Sequence, residues 1–452
     1  MSSTSAPQDS LDYFQNWLGY RQWFLRIPGV QVAVTDHGRH RISAAFGRAD
    51  LSSGQPLTVR HLFRVASHSK TFTAVAVLQL VEAGRLRLDD TVADRLPELA
   101  GSALAGVRVR ELLGHGGGVI RDSQDGDFWQ LHRNFPDREQ LLAIAAEPAA
   151  AVLARNDRFK YSNIGYGLLG LIIEAVTGAS YQDWVGEAII ARLGLADTGP
   201  ELVESRRAEL AAGHSALSYA DERVVLDHVD TGALAAATGF YATAADLAEF
   251  YTALLPGDDR LLGEDSLREL GHRQWQVKQG VSDYGLGVFL TRIGDRELIG
   301  HSGGYPGHIT RTLACPDRKL AVSVLTNAID GAADPLATAL FRLLEMGDSA
   351  SHAPAGTGAA RFTGRFRSLW GVQDVALIND RLFLLNPAVA DPTDDPAPLE
   401  VIDADTLKIV GGPGGGSPGE FVRYHRGTDG SIRSVRGVSA LTMTPFAVPQ
   451  TS

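Results

Sequence analysis

The chain has 452 residues, 44% hydrophobic and 21% charged, a globular balance with enough apolar material for two or three domains at ~150 residues each. Its 42 Lys and Arg stand against 53 Asp and Glu, a formal charge of −11. No basic block is long enough to track a phosphate backbone, so nucleic acid is not an expected partner, and the single cysteine, Cys315, excludes internal disulfides and Cys-x-x-Cys metal sites.

The opening MSSTSAPQDSLDYFQNWLGY has neither a basic leader region nor an apolar one, and no apolar run of ~18 residues follows. The expectation is a cytoplasmic protein with no membrane span. Residues 11–26 space apolar side chains at helical intervals. VQVAVTD and RHRISAAFGRAD then read as a hairpin. LFRVAS runs into KTFTAVAVLQLVEAG, which is apolar on nearly every side and predicts a buried helix ending near Gly84. Residues 108–260 are mostly helical patterns broken by glycines. Strands return in YGLGVFLTRI, RELIGHS, HITRTLACP and KLAVSVLTNA, and DPLATALFRLLEMG predicts a last helix. Strands and helices at both ends with a helical middle predict an α/β (α+β) architecture, a sheet flanked by helices with an all-helical lobe.

Residues 347–360, GDSASHAPAGTGAA, are small, polar and interrupted by Pro and Gly, the composition of a linker. After them come seven short alternating segments separated by turns, which predict a small antiparallel barrel. The expected domains are 1–346 and 361–452.

Lysine is scarce, and of the five (Lys70, Lys160, Lys278, Lys319, Lys408) only Lys70 has a serine three residues before it, in Ser67-His68-Ser69-Lys70. On a helix these side chains share a face, and the apolar run that follows would bury both. Burial moves a lysine toward neutrality and lets it exchange protons with a hydroxyl nucleophile. Alone, the pair is equally accounted for by a helix-capping serine and a snorkelling lysine. Tyr161-Ser162-Asn163 precedes a strongly helical run, and about 0.2 Tyr-x-Asn would arise by chance in this composition. A phenol near an ammonium can act as a base, and an amide can fix a lysine or a carbonyl. A turn tyrosine with an Asn helix cap is the plainer reading. Gly300-His301-Ser302-Gly303-Gly304 ends a strand-like segment; glycines there allow close substrate approach and leave N–H groups for an oxyanion. A hairpin glycine pair beside a satisfied histidine explains it as well.

In that order and at that spacing, the three elements resemble the signatures of the serine β-lactamase and penicillin-binding-protein superfamily, nearest its class-C-like esterase, D-aminopeptidase and carboxypeptidase branch. LFRVASHSKTFTA, VRVRELLGHGGGV, FKYSNIGYGLLGLIIEAVTG and GHSGGYPGH carry the resemblance over roughly residues 25–350, and the tail resembles the lipocalin-like barrel of some members. The resemblance implies Ser67 as nucleophile, Lys70 sharing its proton with Tyr161, and Tyr161 as base. It implies Asn163 holding Lys70 and substrate, His301 in the third-motif lysine position, and the N–H groups of Ser67 and Gly304 as oxyanion hole. Gly303, Trp370 and Arg436 are expected to bind substrate. No cofactor or metal is implied, and HExxH is absent. Two departures stand out. His301 removes the fixed cation that would hold a penicillin-like carboxylate, and the usual His-Thr-Ser-Gly turn reads His115-Gly116-Gly117-Gly118, expected to affect loop flexibility only.

The implied activity is hydrolysis of small esters or amides, D-amino-acid peptides among them, through an acyl-serine. The alternatives are acyl transfer of the penicillin-binding-protein-type thioesterase kind, which releases or cyclises nonribosomal peptides, and a non-catalytic sensor that keeps the fold. GHSGG also fits the Gly-x-Ser-x-Gly nucleophile elbow with Ser302 as nucleophile, provided a helix follows.

Overall fold

The computed structural model describes residues 5–218, 220–412 and 414–449. The chain divides into two compact units. One is Pro28–Asp334; the other joins the described residues up to Ile27 with those from Pro335 onward.

The first unit is built on a nine-stranded antiparallel sheet. Its order is Gln55–Pro56, Arg39–Asp50, Gly29–Asp36, Leu320–Thr326, His308–Cys315, Arg296–Tyr305, Phe289–Ile293, Ser282–Tyr284 and Trp275–Lys278. The hairpin expected at 30–50 forms, and its first strand continues across to the last one in register Val32↔Val324. GVQVAVTD and LAVSVLT are buried at every position, as β-branched strands covered on both faces are. Helix Ala244–Thr252 packs on this central pair.

Beside the sheet lies the helical lobe, centred on helix Ser69–Glu82. From Ser69 to Leu78 every residue of it is buried, which is why its sequence carries no polar face. Phe72 anchors it, with ring centroids 3.6 Å from Phe250 and 4.2 Å from Phe240. Truncating such a side chain to alanine costs about 3–5 kcal/mol. Helix Asn163–Thr177 packs against it. Ser162 caps that helix, its Oγ accepting the Gly165 N–H at 2.8 Å. The cap is therefore Ser162, and Asn163, in the first turn, keeps its amide for other partners.

The second unit holds a closed eight-stranded antiparallel barrel in up-and-down order from Gly364–Ser368 to Thr442–Pro445, closed by the pair Phe366↔Pro445. The expected α/β class, sheet, helical lobe and C-terminal barrel are thus all present. One segment read as a single strand, PLEVIDADTLKIV, is two, Ala397–Val401 and Thr406–Ile409. The carboxylate of Asp403 accepts the Asp405 N–H at 2.9 Å and turns the chain. That break supplies the eighth strand. Phe366, Leu382, Leu399, Leu407, Val422 and Val435 fill the interior. Helix Gln8–Phe24 belongs to this unit. Its Tyr13 hydroxyl donates to Asp374 at 3.2 Å, and its Trp17 indole donates to the Pro387 carbonyl at 3.2 Å. Among the described residues no single helix is long and apolar enough to cross a membrane.

Candidate active site

Ser67 sits in a short 3-10 turn, Ala66–His68, that leads directly into helix Ser69–Glu82. Ala66 before it has φ +47°, a left-handed backbone that a non-glycine residue adopts only when its surroundings hold it there. The bend is held by the Val65 N–H bonded to the Phe240 carbonyl at 2.9 Å, and by Ser69 Oγ, which accepts the Phe240 N–H at 3.0 Å. Ser67 is left half-buried in the turn just before the helix, at the end where backbone N–H groups have no intrahelical acceptor.

One helical turn on, Lys70 is fully buried. Its Nζ lies 3.2 Å from Ser67 Oγ, 2.7 Å from Asn163 Oδ1 and 2.8 Å from the Ala237 carbonyl. Tyr161 places its hydroxyl 2.8 Å from the same Ser67 Oγ. Lys70 and Tyr161 therefore meet at the Ser67 oxygen, with Asn163 behind Lys70, which brings four sequence-predicted residues together.

Burial holds the Lys70 ammonium well below the ordinary lysine range; Asp122 pulls the other way and Arg121 adds to the depression. Burial also raises the Tyr161 phenol above its usual value, against the Ser67 hydrogen bond and the Arg121 charge. The resting pair is a neutral phenol and an amine that gives up its proton readily. A neutral amine has two N–H donors and one lone pair. In that neutral form Asn163 Oδ1 and the Ala237 carbonyl accept the two N–H donors, and the lone pair faces Ser67 Oγ, to which the ammonium form donates.

His301 lies on strand Arg296–Tyr305. Its Nδ1 is 2.7 Å from the Ser302 carbonyl, so that nitrogen carries the proton, and Nε2 accepts from the Tyr284 hydroxyl at 3.2 Å. Burial, with the Lys70 charge adding to it, pushes the imidazole down to about 3, so it is neutral at pH 7. The neighbouring strand pairs with this one only as far as Gly300, so beyond that point residues 301–305 have one edge without a strand partner. Gly304 is exposed there, with space around its Cα, whereas Gly303 is buried against the turn that carries Ser67. A Cβ on Gly303 would stand 2.1 Å from the Val65 carbonyl oxygen. Gly303 is thus a packing position of the nucleophile turn. Ser302 lies mid-strand and the chain turns at Tyr305 into the strand from His308, so the strand-to-helix elbow that a Ser302 nucleophile requires is not formed. On the barrel, Trp370 is 84% exposed in the turn after strand Gly364–Ser368, and Arg436 is exposed on strand Ile432–Arg436, in register with Arg423.

Several further participants were not expected as site residues, although His115 was noted as part of a loop. Asp122 accepts from Asn163 Nδ2 at 2.7 Å and from the Trp129 indole at 2.8 Å, which fixes the amide so that its oxygen faces Lys70. Ala237 contributes only a backbone carbonyl. His115 accepts the Ser162 N–H at 3.1 Å and lies 4.3 Å from the Tyr161 ring, so the His-Gly-Gly-Gly turn does more than set loop flexibility: it backs the phenol. Arg64, fully buried, is ion-paired with Glu201 and sits 4.6 Å over the ring of Tyr305, the residue after Gly304. Among the described residues no group of three or more His, Cys, Asp or Glu could hold a metal.

The family model described as Beta-lactamase matches residues 20–345. Penicillin-binding protein 4* of Bacillus subtilis (strain 168) is 29% identical over 297 residues, 63% of this chain and 64% of that protein, so the match spans somewhat less than two thirds of that relative. Among solved structures, a D-stereospecific amidohydrolase from Streptomyces sp. is 27% identical with a TM-score of 0.60, over 70% of this chain and 94% of that one. SurE with D-Leu is 25% identical with a TM-score of 0.61, over 97% and 99%.

Proposed function

This chain belongs to the beta-lactamase family, and from that premise we propose that it is a serine acyl hydrolase working through an acyl-Ser67 intermediate on small esters or amides of D-configured residues. The observation that carries the reading is the convergence of Tyr161 OH at 2.8 Å and Lys70 Nζ at 3.2 Å on Ser67 Oγ. The Lys70 lone pair takes the Ser67 proton as Oγ attacks the acyl carbonyl. The N–H groups of Ser67 and Gly304 receive the developing oxyanion, a contribution of about 3 kcal/mol per donor. When the tetrahedral intermediate collapses, the Tyr161 phenol protonates the leaving group, and the proton that Lys70 took from Ser67 then returns to the phenolate from the ammonium beside its ring, 4.7 Å from the ring centre, so that both groups end neutral. In the second half the same two groups take a proton from water, which releases the acid and restores Ser67. In this scheme Lys70 is the resting base and Tyr161 the relay, because burial favours the neutral form of each.

The D-configuration is supported by two structural neighbours, a D-stereospecific amidohydrolase and SurE with D-Leu. The neutral His301 supports substrates that need no cation on the third-motif strand over penicillin-like ones. The test is the kinetics of Ser67→Ala and Tyr161→Phe on p-nitrophenyl esters. Ser67→Ala is expected to be inactive and Tyr161→Phe to fall by ~10²–10⁴-fold. Wild-type rates in either variant contradict the scheme. An acyl-Ser67 ester can also pass to an amine; a peptidyl thioester scored for cyclic against linear product separates that outcome from hydrolysis.

A further inference from the structure

We propose that Arg121 forms a carboxylate-binding subsite beside the nucleophile, so that the preferred acyl donor carries a free carboxylate within about three residues of the bond that Ser67 attacks. The inference rests on the reading of Ser67 as nucleophile. The Arg121 guanidinium carbon lies 4.9 Å from the centroid of the Tyr161 ring, whose hydroxyl is 2.8 Å from Ser67 Oγ. At ~3.4 Å per residue of extended chain, that span is two to three residues.

Three contacts hold the residue in place. The ring lies under the guanidinium, Nε stands 3.3 Å from Asp122 Oδ2, and the Arg121 carbonyl accepts the N–H groups of Asn163 at 2.7 Å and Ile164 at 3.2 Å. Its side chain is nonetheless 61% exposed. Engagement through Nε leaves the two terminal nitrogens as a planar fork, the geometry that takes both oxygens of a carboxylate. Because the side chain is already placed, it loses little freedom when it binds.

Asp122 is engaged at both oxygens, Oδ2 by the Arg121 Nε and Oδ1 by Asn163 and Trp129, so it does not occupy the terminal nitrogens of the guanidinium. The other basic groups at the site are committed elsewhere. Lys70 is buried among its three partners, and both His301 nitrogens are engaged by Ser302 and Tyr284. An anionic substrate therefore meets its fixed positive charge at the Tyr161 side of the site, not on the third-motif strand.

The test uses full-length Ser67→Ala, which cannot be acylated, titrated calorimetrically with N-acetyl-D-leucyl-D-alanine and with its C-terminal carboxamide. The carboxylate form is expected to bind ~10–100-fold more tightly, the range of a charge-assisted pair. Adding Arg121→Gln should bring the two within about threefold, Arg121→Lys should restore part of the preference, and salt should weaken only the carboxylate form. Equal affinities, a preference that survives Arg121→Gln, or binding of neither compound overturns the subsite. Failure of the nucleophile reading shows separately, as the absence of a fluorophosphonate adduct on Ser67 of the unmodified chain.

Discussion

Replacing Asp122 with asparagine should move the acid limb of the pH–rate profile, and the direction follows from the hydrogen-bond chain. Asp122 accepts from Asn163 Nδ2 at 2.7 Å, and Asn163 Oδ1 accepts from Lys70 Nζ at 2.7 Å. The amide between those two bonds puts the carboxylate about 7 Å from the ammonium. At an effective dielectric of ~20, two unit charges at that distance interact by about 2 kcal/mol, or ~1.5 pH units. Asp122 favours the charged lysine, so Asp122→Asn favours the neutral amine and lowers the Lys70 pKa. The base then stays available to lower pH, and the acid midpoint of kcat/KM should fall by ~1–2 units. Asparagine keeps an oxygen for Asn163 and for the Trp129 indole, so geometry is conserved while charge is lost. The assay is hydrolysis of a p-nitrophenyl ester from about pH 4 to 9, with folding checked by circular dichroism at each end. A midpoint that stays put or rises in a folded variant refutes Lys70 as the titrating base.

Two glycines one residue apart should behave oppositely. Gly303→Ala puts a Cβ 2.1 Å from the Val65 carbonyl and should cost about 2–4 kcal/mol in urea unfolding along with most activity. At Gly304 the nearest neighbour is Ile309 Cδ1 at 3.6 Å, so Gly304→Ala should match the parent's unfolding midpoint and raise KM. Acid should destabilise the fold through its buried imidazoles. His301 and His308 are held by burial at about 3, and His68 and His115 are also depressed. Below the ordinary ~6.5 an unfolded chain binds protons that these rings refuse, so stability is complete above that value and falls as pH drops towards 3. For His301 and His308 the loss is about 2 kcal/mol each by pH 5, so equal urea midpoints at pH 7 and pH 5 would show that the rings are not held neutral.

The parts of the site that could be read from the sequence are those where chemistry and local geometry coincide. Ser67 and Lys70 are legible because three residues is one helical turn, and Tyr161 and Asn163 because a rare residue pair precedes a helix. Asp122 is one of 53 acidic residues, and nothing local sets it apart. Ala237 acts through a carbonyl in an alanine run, where the side chain is silent. The bend at Ala66 is imposed from residue 240, far along the chain, and alanine itself gives no cue to a positive φ. The barrel was legible from alternation, but its eighth strand needed the Asp403 turn. That helix Gln8–Phe24 packs with the barrel was not legible, because its contacts, Tyr13 with Asp374 and Trp17 with Pro387, are separated by more than 350 positions.

The contact between Gly303 and the Val65 carbonyl has a practical corollary for altering selectivity. With no gap for even a methyl group, that wall cannot be remodelled without displacing the attacking oxygen, so mutant libraries directed there should return mostly dead clones. The opposite bank, formed by the loop from Arg121 to Trp129, is joined to the machinery at its first two residues, through the Arg121 carbonyl and guanidinium and the Asp122 carboxylate, and the residues after them are free of it. It is the side on which variation can retune acceptance of new acyl donors while the proton relay stays intact.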